Sequence, residues 1–319
     1  MSRLGNCNRR SLLLLAATWL LNSRISTLFA EQTSRSPVAS IPSRVRSRRY
    51  SVQATVMLGA IPIFAKARVG GALLTVEESG TQECGAVAVQ FGAGTWPDRL
   101  KGFNRFGVTQ EVVRIEHGHV AESSYYSFMT TSREANLSQA EQSFRSSIDS
   151  VRLTIGYGQS TAAGCTAKIE HEAVPATVSW SDCPKLLDEL RERKPTVYQN
   201  SAGASQQSVL PTFLYAVRQA VLYGPRHASV LYSHNGEIYR LATETRPANE
   251  SGQAVTTARI CREGSHGGTE FRLWMASDSG AELPFRIEFR AKSFLKLTLE
   301  LDERESLPVF KPILKETES

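Results

Sequence analysis

Ala228-Ser229-Val230-Leu231-Tyr232-Ser233-His234-Asn235-Gly236-Glu237-Ile238-Tyr239-Arg240-Leu241-Ala242-Thr243-Glu244-Thr245 decides how this chain folds. Asn235-Gly236 supplies the two residues that tolerate positive φ in a type I′ turn, whose twist matches that of two antiparallel strands. The turn sets a register in which Tyr232 meets Tyr239 and Val230 meets Leu241 on one face. A β-hairpin is expected here, and its alternation recurs along most of the chain.

Downstream, Leu295, Leu297, Leu299 and Leu301 share one face, with Lys296, Thr298 and Glu300 on the other, the pattern of a half-buried strand. Phe285, Ile287 and Phe289 likewise alternate with Arg286, Glu288 and Arg290. The same reasoning predicts strands at 50–58, 61–67, 86–91, 108–115, 124–130, 151–157, 166–171, 255–261 and 270–276. Helices are few. Residues 209–223 carry the stripe Leu210, Phe213, Leu214, Val217 and Val221, capped by Ser208 and ended by Gly224-Pro225. A second helix, 184–193, presents Leu186, Leu187 and Leu190 behind Asp182, and 138–144 opens with the capping-box pattern Ser138-x-x-Glu141. Alternating βαβ units are absent. The expected class is mainly β (α+β): a large curved antiparallel sheet or open barrel with one or two packed helices.

The chain begins with Arg3, Arg9 and Arg10, an 11-residue apolar run from Ser11 to Leu21, and a polar segment ending Leu28-Phe29-Ala30. That order is a signal peptide's, and such a run spans only about 16 Å of a roughly 30 Å hydrocarbon core. Export to the periplasm or outside is expected, with cleavage near Ala30 and no transmembrane anchor afterwards; a start near Glu31 on N-terminal sequencing would show it. The general secretory and twin-arginine routes both remain open. Residues 1–30 contain no acid, so an organellar transit peptide is the alternative. The expected divisions are a leader at 1–30, an Arg/Ser-rich linker at 31–49, one β-rich domain at 50–303 with halves 50–205 and 206–303, and a tail at 304–319.

The net charge of +6 suggests nucleic acid until it is located. Residues 1–50 hold nine arginines and one acid, Glu31, which leaves −2 for residues 51–319. Nucleic-acid binding loses its support. The run Ser43-Arg44-Val45-Arg46-Ser47-Arg48-Arg49 reads as a solvated linker, or as a contact to anionic lipid. Cys7 leaves with the leader. Cys84, Cys165, Cys183 and Cys261 remain, an even number that permits disulfides in an exported chain, with no C-x-x-C among them.

Catalytic signals are sparse. Glu116-His117-Gly118-His119 and Glu170-His171-Glu172 make His117, His119 and His171 the candidate metal ligands, and a metal-dependent enzyme would follow if they converged. Cys183, at a helix start, is a candidate activated thiol against the simpler reading of burial. Gly264-Ser265-His266-Gly267-Gly268 reads as a turn, and no nucleophile elbow, Walker or G-x-G-x-x-G sequence occurs. No cofactor is expected. Asn136-Leu137-Ser138 and Asn249-Glu250-Ser251 are glycosylation acceptors only in a eukaryotic host.

From Ser208 onward the order is helix, Asn-Gly hairpin, strand, then Phe271-Arg272-Leu273-Trp274-Met275-Ala276-Ser277-Asp278, leading through Gly280 to Leu283-Pro284-Phe285-Arg286-Ile287-Glu288. This last third resembles a broad family of exported bacterial domains of unknown function. Their outline is similar to the half-barrel lipoprotein carriers of the bacterial envelope, whose concave sheet holds acyl chains over a helix. The resemblance implies a noncatalytic envelope protein with a lipid or other apolar ligand, and it brings no catalytic residue. The alternative is a structural or assembly factor that holds an envelope protein partner.

Overall fold

The computed structural model describes residues 44–81, 83–100, 102–130, 150–193, 199–200, 209–248, 253–265, 268–276 and 282–314. Eight strands form the first half: β1 (Arg44–Leu58), β2 (Ile61–Gly80), β3 (Cys84–Thr95), β4 (Phe106–Glu116), β5 (His119–Thr130), β6 (Ser150–Thr161), β7 (Gly164–Pro175) and the two-residue β8 (Gln199–Asn200). Six form the second: β9 (His227–His234), β10 (Glu237–Pro247), β11 (Ala254–Arg262), β12 (Thr269–Met275), β13 (Arg286–Lys292) and β14 (Leu295–Leu301). They make one antiparallel sheet, ordered from β8 back to β1, then from β14 back to β9, and nearly closed into a barrel. Every neighbouring pair is consecutive in sequence except β1 and β14, which meet through Tyr50–Leu301 and Val56–Leu295.

The hairpin forms as its turn residues demand. Asn235 and Gly236 have φ of 50° and 75°, Tyr232 pairs with Tyr239, and Val230 with Leu241. The two tyrosine rings stack at 5.6 Å. β1 starts at Arg44, so the basic run 44–49 is strand and not the end of a linker. Alternation puts Arg44, Arg46 and Arg48 on the face of Tyr50 and Val52, both in the core.

Two helices are described: α1 (Cys183–Glu192), entered through a 3-10 turn at Trp180–Asp182, and α2 (Phe213–Leu222). The helix expected from 209 begins only at Phe213. Thr212, at φ −83° and ψ 171°, is extended and stands at the N-cap, so the residues before it lie outside the helix. The expected helix at 138–144 lies outside the described residues, as do the leader and residues 31–43.

The helices lie on opposite faces of the sheet. Phe213, Leu214, Ala216 and Ala220 of α2 join a core with Tyr50, Leu74, Phe91, Val113, Tyr232, Leu241 and Ile260, drawn from both halves of the curl. On the outer face, Leu187 and Leu190 of α1 join Trp180, Phe106, Val108, Phe128, Leu153 and Ile155. Trp180 is fully buried against β3, where a Cβ on Gly92 would meet its ring at 2.6 Å and one on Gly94 its Cβ at 2.4 Å. These glycines are the close approach that seats the indole.

The tail is not loose as far as Leu314. Phe310 lies over Trp180 at 5.8 Å between ring centroids, and Lys311 Nζ sits 2.6 Å from Asp188 of α1. The backbone N–H groups of Ile313 and Leu314 both donate to the buried Glu77 carboxylate at 2.9 Å. Residues 302–314 therefore strap the outer face.

Side chains also join the two halves across the interior of the curl. Tyr125 of β5 donates its hydroxyl to Asn235 Oδ1 at 2.8 Å and accepts the Asn235 N–H at 2.7 Å. Ser123 Oγ donates to the Leu210 carbonyl at 2.7 Å, and Leu210 N–H donates to Ser160 Oγ at 3.0 Å. The residues leading into α2 thus fasten the first half to the second.

Candidate functional site: an apolar cavity under an arginine cluster

A cavity of about 90 Å³ remains between α2 and the concave sheet. Leu74, Phe91, Val217, Val221, Phe271 and Leu283 wall it, and Arg218 and Glu282 stand among its lining residues. Arg218 follows Leu214 by one helical turn, so it occupies a position the apolar stripe would otherwise fill. Its side chain is only 7% exposed. A cation so placed needs partners.

They come from two other segments, and arginines of β1 share them. Arg218 pairs with Glu78 of β2 and stands 3.2 Å from Glu282. Arg46 pairs with the same Glu282 and lies 3.1 Å from Glu78, while Arg44 lies 3.5 Å from Glu282. Arg48 donates to the Leu283 carbonyl at 2.8 Å, and Tyr50 donates to Pro284 O at 2.6 Å. Three guanidinium groups, of Arg44, Arg46 and Arg218, thus face two carboxylates. The Nε–H groups of Arg46 and Arg218 are buried and have no acceptor among the described residues. The cluster holds cationic donors in excess beside an apolar cavity.

Glu111 of β4 seats α2. It is 1% exposed and accepts the Tyr215 N–H at 3.2 Å at the positive end of the helix. Burial outweighs the hydrogen bonding it receives from the first turn of α2, pushing its carboxyl from 4.5 up to about 7. The folded state therefore binds this proton more tightly than the unfolded chain, so stability falls as pH rises from 4.5 to 7. At about 1.4 kcal/mol per pH unit the loss is on the order of 3 kcal/mol. Glu111→Gln should remove that component, so that in urea unfolding the variant's stability changes less than the parent's between pH 4.5 and 7.

The structure does not gather the three histidines. His117, at φ 54°, serves with Gly118 as the β4–β5 turn, and His119 opens β5. His171 pairs with Thr154, which pairs with Met129 at the other end of β5, 3.2 Å separating His171 Nδ1 from Thr154 Oγ1. At about 3.3 Å per residue, β5 keeps the two sites roughly 30 Å apart. Among the described residues no three His, Cys, Asp or Glu side chains are grouped to hold a metal ion. No disulfide joins Cys84, Cys165, Cys183 and Cys261 either: Cys84 is paired across strands with Glu116, Cys165 with Ser160 and Cys261 with Arg240, while Cys183 lies in α1. Burial drives the Cys183 thiol well above its ordinary pKa, which removes the activated-nucleophile reading. Ser265 Oγ donates to the Arg262 carbonyl within its turn, and His266 lies outside the described residues.

Among the described residues no helix is long and apolar enough to cross a membrane. No family model matches the chain, and neither the curated proteins nor the solved structures yield a match. Of these residues, Glu78, Arg218, Glu282 and Glu111 have no place among the sequence-based candidates, and Arg46 enters only within the basic run. The available signal was the lone charge on an apolar face, at Arg218 in α2 and at Glu111 between Val108 and Val113.

Proposed function

We propose that this is a noncatalytic binding protein for an amphiphile, its apolar part held between α2 and the sheet and its anionic head met by Arg46 and Arg218. The observation that carries this reading is Arg218, which stands in the cavity lining with a buried Nε–H that has no acceptor among the described residues, and shares Glu78 and Glu282 with Arg46, whose Nε–H is equally unsatisfied. A carboxylate or phosphate head would satisfy those donors, and a fatty acyl group matches the lining. The cavity of about 90 Å³ is smaller than the roughly 300 Å³ at which ligand sites begin, so a long chain requires α2 to shift outward. The export signal and the half-barrel resemblance of the last third agree with an envelope binder of lipid.

Lipid extraction of purified protein followed by mass spectrometry should recover a bound acyl species. Titration with a fluorescent fatty acid should give saturable binding that Val217→Trp, which fills the cavity, weakens at least tenfold. Empty extracts together with unchanged titration in Val217→Trp would overturn the reading.

A further inference from the structure

The β1–β2 hairpin ends in an apolar point. Leu58, Ile61, Ile63 and Phe64 are 68%, 66%, 61% and 59% exposed, an unusual concentration of large uncovered side chains. β2 has no second neighbour here: its pairing with β3 starts only at Gly70. Residues 61–68 are therefore exposed on both faces and along one edge.

Basic residues outnumber acids around this point. Residues 51–76 and 289–299 contain no acid, and they contribute Lys66, Arg68, Arg290, Lys292 and Lys296. The β13–β14 turn lies beside the hairpin, since Met57 N–H donates to Phe294 O at 2.8 Å and Arg290 donates to Gly59 O at 2.8 Å. Arg68 pairs with Asp302 and Lys296 lies 3.5 Å from Glu288, while Lys66 donates to the Arg99 carbonyl. The balance of the collar stays positive. Pro62 and Lys66 on the open edge discourage addition of another strand, so a partner would be taken by side chains, not by the backbone.

We infer that the β1–β2 tip docks on an anionic lipid surface, with Leu58, Ile61, Ile63 and Phe64 entering the interfacial layer and Lys66, Arg290 and Lys292 meeting the headgroups. Apolar points that enter a bilayer with basic stems at the headgroup level satisfy both parts of such an interface. The inference is independent of the cavity: Arg46 and the tip stand at opposite ends of β1, roughly 40 Å apart at about 3.3 Å per residue.

Co-flotation of the full chain with vesicles tests it. Binding is expected to equimolar phosphatidylglycerol and phosphatidylcholine, with at least tenfold less to pure phosphatidylcholine and a steep loss with salt. Ile61→Ser with Phe64→Ser, and separately Lys66→Glu with Lys292→Glu, should each reduce binding at least tenfold while the melting temperature stays within a few degrees of the parent. Equal binding to both vesicle types, or variants that float like the parent, would overturn the inference. So would sedimentation showing that the parent dimerises through the tip and that the serine variant is monomeric.

Discussion

Trp180→Ala is expected to lower the unfolding free energy by about 4 kcal/mol, the cost of emptying a site built around one large ring. Trp180 is fully buried, packs with Phe310 of the strap, and rests on Gly92 and Gly94 of β3. Loss of the indole therefore leaves a cavity against rigid strand backbone and removes the strap's aromatic partner. Gly94→Val attacks the same contact from the other side, since a Cβ there comes within 2.4 Å of Trp180 Cβ. Urea unfolding of both variants and their combination should show strong non-additivity, the double variant being more stable than the two losses together predict. Additive losses would mean that the glycines and the indole are independent.

Acidification should destabilise the protein through His234. The ring is 5% exposed and stacks on Tyr125 at 4.7 Å beside the side chains that join the two halves. Burial lowers its pKa from 6.5 to about 3, so below pH 6.5 the unfolded chain takes up the proton more readily than the folded one. The stability is fully present above 6.5 and is lost as pH falls toward 3, in total on the order of 5 kcal/mol. Between 4.5 and 6.5 the opposite slope from Glu111 offsets much of it, and the unopposed loss appears below 4.5. His234→Phe keeps a ring against Tyr125 and should flatten the acid limb of the unfolding profile. An acid limb as steep as the parent's would exclude His234 as its source.

The strands were legible because their information is local. Period-two alternation located β10, β13 and β14, and Asn235-Gly236 specified the register that pairs Tyr232 with Tyr239. The basic run was misread because its composition outweighed its spacing: Arg44, Arg46 and Arg48 alternate with Val45 and Ser47 in the rhythm that continues to Tyr50 and Val52. A buried arginine face is rare enough that solvent is the default reading. Its partners, Glu78, Arg218 and Glu282, are brought to it only by the curl of the sheet, which no local pattern encodes. The seat of Trp180 did leave a trace, since glycines two apart at Gly92 and Gly94 mark a strand face against which something large lies.

The one non-sequential pairing among the described strands, β1 with β14, has a kinetic consequence. Every other strand finds its neighbour nearby in the chain, so each half can zip up as a meander while synthesis proceeds. Joining the halves requires Tyr50 to wait for Leu301, a loop closure that spans most of the polypeptide and delays completion of the sheet. Until the last strand is made, β1 presents an unpaired edge, and the nascent chain remains two separate ribbons. The segment made nearly last thus governs when the protein first becomes whole.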